Sequence, residues 1–323
     1  MLRVNTALLR RRITSPKLKF IETTVGKTSN TLVSVAYLEG TADGELVNTV
    51  IEKLKGIEIE EVVSTASIEE HITSHPYSIF PQTIYTERPD KLAACISEGK
   101  IGLFIDGYPL GYVIPAVLNM FFQAPEDYSQ NYLTASILRC IRYIAALITV
   151  LLPGLYVSTL TFNIEMLPAK LALSIIKSKE GVPFTTIIEV LFMLIAFEIL
   201  IEAGVRLPKT MGQATSIVGG LIVGDAAISA KFVSPAVVVV IAIASICGFL
   251  MPNQDFANSL RLLRFTGVLM AAFAGIYGMS LGIILLLYYF AGLKTCGVPY
   301  MLPYAAADGK NLGKDTLFRT PFS

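Results

Sequence analysis

MGQATSIVGGLIVGDAAISA, residues 211–230, is apolar enough to enter a bilayer and carries an acid in its middle. An uncompensated carboxylate in hydrocarbon is costly, so Asp225 must face protein or water. On a helix, Val218, Ile222, Asp225 and Ser229 fall on one face, and Gly220, Gly224 and Ala227 fall roughly opposite. The small face, with the G-x-x-x-G spacing of Gly220 and Gly224, lets another helix approach closely. The Asp225 face is then left either for a lumen or, as in a simple packed membrane helix, for a neighbouring basic residue.

The rest of the chain is apolar in the same way. Of its 323 residues 53% are hydrophobic and only 16% charged, against the quarter usual in soluble domains, and the mean hydropathy is +0.61. An integral membrane protein follows. The net charge of +1 gives no reason to expect nucleic acid as a partner. Cys95, Cys140, Cys247 and Cys296 are far apart and contain no C-x-x-C, so they read as reduced, buried thiols. His71 and His75 share an i, i+4 spacing, but Pro76 follows at once, so a helix end is expected there and no metal site. No Ser/His/Asp set or nucleotide motif is present, and neither enzyme chemistry nor a cofactor is expected. VGKTSNT lacks the earlier glycine of a phosphate loop, since that position is Ile21.

Residues 1–128 read as a soluble α/β domain, with charges spread throughout and short apolar runs. LVSVAY at 32–37 is expected as a strand, and 43–55 as an amphipathic helix capped by Thr41 or Asp43. Asp106-Gly107 supplies the tight turn of a hairpin with strands at 101–105 and 108–114. The basic start lacks a continuous apolar core and a cleavage site, so it is not a signal peptide.

Residues 129–294 read as an all-α membrane domain of four or five spans, and 295–323 as a polar tail without a core of its own. Tyr143–Ile164 is uncharged, and Arg139 and Arg142 before it place the N-terminal domain in the cytoplasm. Residues 168–179 alternate Leu and Ile with Lys and belong at the membrane interface. The span at 184–205 carries Glu189, Glu198 and Glu202; Glu198, Glu202 and Arg206 line one stripe, with Glu202 placed to pair with Arg206. That stripe is either a buried charge network or a cation path. Glu189 points away from it, near the positive end of the helix dipole. Pro235–Met251 is a further span, Asn253–Arg264 an interfacial turn, and uncharged Phe265–Leu293 a single span whose glycines imply close packing. The Gly-rich stretch crosses fully or re-enters, which leaves the count open.

LLRRRI at 8–13, FPQTIYTERPDK at 80–91, GLFIDGYP at 102–109, LPGLYV at 152–157, FEILIEAGVRLPKTMGQATSIVGGLIVGDAA at 197–227 and LRLLRF at 260–265 run in order along nearly the whole chain. Together they resemble the A-subunit family of spore germination receptors, the GerA type. The resemblance implies a subunit of the bacterial cell membrane or spore inner membrane that works with B and C subunits. Such a complex answers small nutrients such as amino acids or sugars and starts germination. It further implies a homo-oligomer around an ion-conducting pore, with the Gly-rich helix as its lining. Relative to that family the chain starts late, so half of the sensing or coupling domain is expected to be missing. Asp225 and Lys231 stand where the family has glutamine and glycine; they favour cations at one depth and oppose them nearer the end. Two other classes stand beside it: a secondary transporter, which the intramembrane acids also fit and for which an inverted repeat would be the signature, and a non-conducting scaffold, which the late start suits.

Overall fold

The structure is a computed structural model that describes residues 2–206, 223–304 and 315–319. It divides into two compact units, Met1–Ser136 with Tyr288–Ser323, and Ile137–Leu287.

The first unit is built on a five-stranded antiparallel sheet of order β1-β2-β4-β5-β3. Its strands are β1 (Leu18–Val25), β2 (Thr31–Leu38), β3 (Ile84–Thr86), β4 (Ile101–Ile105) and β5 (Gly111–Ile114). The expected hairpin forms at Asp106-Gly107, where Gly107 takes φ +88°. Its second strand starts three residues later than expected, because Pro109 has no N–H to give to the ladder. Strand alternation then sorts the two faces. Val33, Val35, Ile101, Leu103 and Ile105 pack under α2 (Gly44–Lys55) and α3 (Thr65–Ile72), which contribute Val50, Leu54, Ile68 and Ile72. Asp43 caps α2 by accepting the Glu45 N–H at 3.0 Å.

The opposite face carries α4 (Pro89–Ser97), and α1 (Leu2–Arg12) packs against α4. Helix α4 lies close to the sheet because Gly102 and Gly111 stand beneath it. A Cβ there would come within 2.9 and 2.7 Å of the Ile96 and Leu92 methyls. At the start of α4, hydrogen bonds from the Arg88 guanidinium hold the Asp90 carboxyl at about 2. The segment after Lys294, read from the sequence as a polar tail, forms a short hairpin of β6 (Lys294–Thr295) and β7 (Val298–Pro299). It places Tyr300, fully buried, against Phe290 and Phe121.

The second unit is helical: α5 (Tyr132–Thr161, whose first residues belong to the other unit), α6 (Ala169–Ser178), α7 (Thr186–Arg206), α8 over residues 223–229, α9 (Pro235–Gly248) and α10 (Gln254–Gly292, whose last residues belong to the other unit). Its core is Tyr156, Val157, Val190, Met193, Val237, Ile241 and Val268. Large apolar side chains such as Phe192, Ile199, Ile243, Phe273 and Tyr277 stand exposed on its outside. A surface of that kind marks contact with lipid or with other protein. Among the described residues α5 and α10 are long and apolar enough to cross a membrane.

Phe265–Leu293, expected as one span, is not one. Helix α10 begins at Gln254, so Arg261 and Arg264 lie on it instead of in an interfacial turn. It then breaks at Ala274 (φ −136°) and Gly275 (φ +58°, ψ −138°). Leu263 and Leu286 would be about 35 Å apart on a straight helix, yet both line the same cavity of about 50 Å³. Gly154 likewise faces both Gly267 and Met279. The arms 254–273 and 276–292 therefore run back along each other, about 30 Å and about 25 Å long. The reversal is sealed by glycine: a Cβ on Gly278 would sit 2.1 Å from the Met270 carbonyl oxygen, and one on Gly275 3.1 Å from the Phe162 ring.

Gly278→Ala must displace backbone and should cost about 1–3 kcal/mol, read as a lower midpoint in detergent unfolding of the full chain. Gly292→Ala, whose Cβ meets nothing within 4 Å, is the control. Equal midpoints for the two variants contradict the reversal.

Candidate functional site

A charge in an apolar helical unit needs a partner, and the described acids of α7 and α8 meet that need differently. Glu198 joins three helices. One carboxylate oxygen accepts from Arg264 Nη2 at 2.9 Å and the other from Arg261 Nη1 at 3.1 Å, both on the first arm of α10. Arg264 is fully buried, and its Nη1 donates to Ser245 Oγ on α9 at 3.2 Å. Glu202 instead pairs along its own helix with Arg206, at 2.6 Å, and both side chains are mostly exposed. An exposed i, i+4 pair contributes only a few tenths of a kcal/mol. The sequence stripe Glu198, Glu202, Arg206 thus splits into a tertiary cluster and a local pair. Both border a groove of about 560 Å³ along α7.

Glu189 is completely buried. It takes the Lys179 ammonium at 2.9 Å and the Ser234 N–H at 2.9 Å, and Lys179 also donates to Thr186 Oγ1. Sequence reading missed the partners of Glu189 and Glu198 because they come from other helices. A helical i, i+4, i+7 period through Phe256, Leu260 and Leu263 was the available signal for a helix that carries Arg264.

Val218, Gly220 and Ile222 lie outside the described residues. Of the remainder, Gly224 and Ala227 are buried within the helical unit, Gly224 facing Val238 of α9 and Ala227 in the core cluster with Val233 and Val237. Asp225 and Ser229 are exposed on the other side of α8, and no ion pair reaches Asp225 among the described residues. His71 sits in α3 with its Nδ1 at 2.7 Å from the Ser67 carbonyl, and His75 lies beyond the end of that helix. No group of three or more His, Cys, Asp or Glu converges among the described residues.

Glu198→Gln leaves Arg264 buried without its counter-charge and should destabilise the chain by about 3 kcal/mol, whereas Glu198→Gln with Arg264→Met should recover most of that loss. Additive losses in a double-mutant cycle, measured in detergent, contradict the pairing.

A family model described as "Bacillus/Clostridium GerA spore germination protein" matches residues 1–323. Spore germination protein B1 of Bacillus subtilis is 36% identical over 320 residues, which is 99% of this chain and 66% of that protein. Spore germination protein KA of the same organism is 38% identical over 99% of this chain and 59% of its own length. A B. subtilis protein described as the uncharacterized membrane protein YfkQ is 40% identical, covering 93% of this chain and 58% of its own length. The chain thus spans less than two thirds of each of these relatives. The crystal structure of the N-terminal domain of the A subunit of the Bacillus megaterium spore germinant receptor GerK3 is 31% identical, with a TM-score of 0.30, over 36% of this chain and 94% of that one. The chain belongs to the GerA spore germination protein family.

Proposed function

We propose that the chain is a membrane subunit of a germinant-responsive receptor complex, and that the Asp225–Ser229 face of α8 lines an ion path when several copies assemble. The observation that supports this is the two-sidedness of α8. Its small residues, Gly224 and Ala227, are buried against the chain's own core, and its acid and hydroxyl are exposed, with no ion-pair partner for the acid among the described residues. A carboxylate left open in a membrane unit is sustained by water, and symmetric copies around an axis supply a water-filled lumen. A ring of carboxylates selects for cations.

In this reading α5, α7, α9 and the two arms of α10 make five crossings, and the basic residues Arg139 and Arg142 of α5 keep the N-terminal unit in the cytoplasm. B- and C-type subunits complete the complex, a small nutrient binds to it, and opening is a two-state equilibrium that the nutrient biases. The chain itself makes and breaks no bonds.

Asp225→Asn in the full chain, reconstituted in liposomes, should lower the cation-to-anion permeability ratio several-fold, in line with loss of a charge ring. Unchanged conductance and selectivity contradict the proposal.

A further inference from the structure

The N-terminal unit carries its charge unevenly. Residues 1–20 hold six arginines and lysines and no acid, whereas residues 43–70 hold eight acids and two lysines. The fold puts these two runs on opposite sides of the sheet. The first forms α1, packed on α4, and enters β1; the second forms α2, the loop after it and α3, packed on the other face.

On α1, Leu2 and Leu9 are buried, and the stripe Val4, Leu8 and Arg11, spaced i, i+4, i+7, lies exposed, with Val4 at 63% and Leu8 at 43%. Arg3 and Arg12 beside it are exposed as well, and among the described residues no ion pair reaches these three arginines. On the other side Ile57 and Val62 are buried in the core under α2 and α3, which leaves Glu58, Glu60, Glu61 and Val63 exposed, Val63 at 78%. Glu58 pairs with exposed Lys27 at 3.5 Å, and Glu61 has no ion pair among the described residues.

Each side is thus a small apolar patch rimmed by charge of one sign, the build of a protein interface, and the two signs are opposite. An anionic bilayer would complement α1 alone and leave the acidic side and Val63 bare. A second copy complements both at once. Because the two surfaces differ, such a contact is heterologous: it passes from copy to copy and closes as a ring about an axis.

We propose that the N-terminal units of neighbouring copies dock head to tail, Val4 and Leu8 of one copy against Val63 of the next, with Arg3, Arg11 and Arg12 facing Glu58, Glu60 and Glu61. The contact rests on the assembly of several copies proposed above and names the surface through which they meet.

The test is disulfide cross-linking of full chains whose four native cysteines are replaced by serine, reconstituted in phosphatidylcholine liposomes. Leu8→Cys together with Val63→Cys should give a ladder of linked oligomers under mild oxidation. The two positions lie on opposite sides of one sheet, so the bond joins copies, and each cysteine alone should leave single chains on a denaturing gel. Arg11→Glu with Arg12→Glu should cut the ladder about tenfold, because like charges then meet across the contact. Adding Glu60→Arg and Glu61→Arg should restore it, which a folding defect would not allow. A dimer from Leu8→Cys alone, or a ladder insensitive to the reversal, overturns the proposal. No ladder while an amine-reactive cross-linker still captures oligomers overturns this docking and leaves the assembly of copies standing; single chains by both methods overturn that assembly too. No ladder, with Leu8→Cys shielded from a water-soluble thiol reagent only in phosphatidylglycerol liposomes, overturns it in favour of a lipid surface.

Discussion

Arg264 is fully buried in the helical unit, and the Glu198 carboxylate is what makes that position tolerable. Removing a guanidinium from water costs several kcal/mol, which only a close counter-charge and further hydrogen bonds offset. Glu198 from α7 and Ser245 from α9 provide them, so the three helices are fixed in one register around a single cation. Glu189 is held in the same way by Lys179 and the Ser234 N–H. Against these satisfied groups Asp225 stands out, because its helix is packed on one side and its carboxylate is exposed with no ion-pair partner among the described residues.

The reversal at Ala274-Gly275 sets how much apolar surface the unit can bury. A single rod from Gln254 to Gly292 would run about 58 Å, nearly twice the thickness of a hydrocarbon core. Folding it into two arms brings Gly267 and Met279 together on Gly154 of α5. The first arm also carries Arg261 and Arg264 to Glu198.

Local chemistry was legible in the sequence, and tertiary chemistry was not. Asp43 as a cap, Asp106-Gly107 as a turn and 32–37 as a strand each depend on neighbours within a few residues, and each is found. The pairing of Glu198 with Arg264 joins positions 66 apart, and nothing in a helical repeat announces it. The reversal was hidden because hydropathy is blind to direction: two apolar arms and one apolar span read alike. Gly275 and Gly278 were the visible trace, but glycines in an apolar helix signal close packing as readily as a bend. For the Gly-rich stretch, the sequence gives one polar and one small face. The described part of α8 has Gly224 and Ala227 buried and Asp225 and Ser229 exposed.

The outward face of α8 as the wall of a water-filled path is the central claim, and cysteine accessibility in the assembled, lipid-embedded complex tests it most directly. In chains whose four native cysteines are replaced by serine, cysteine is placed in turn at positions 225, 229 and 227, and a charged, membrane-impermeant thiol reagent is applied while ion flux is recorded. The account predicts modification and altered flux for Asp225→Cys and Ser229→Cys, with Ala227→Cys unreactive. Protection of positions 225 and 229, or flux altered only through position 227, would contradict it.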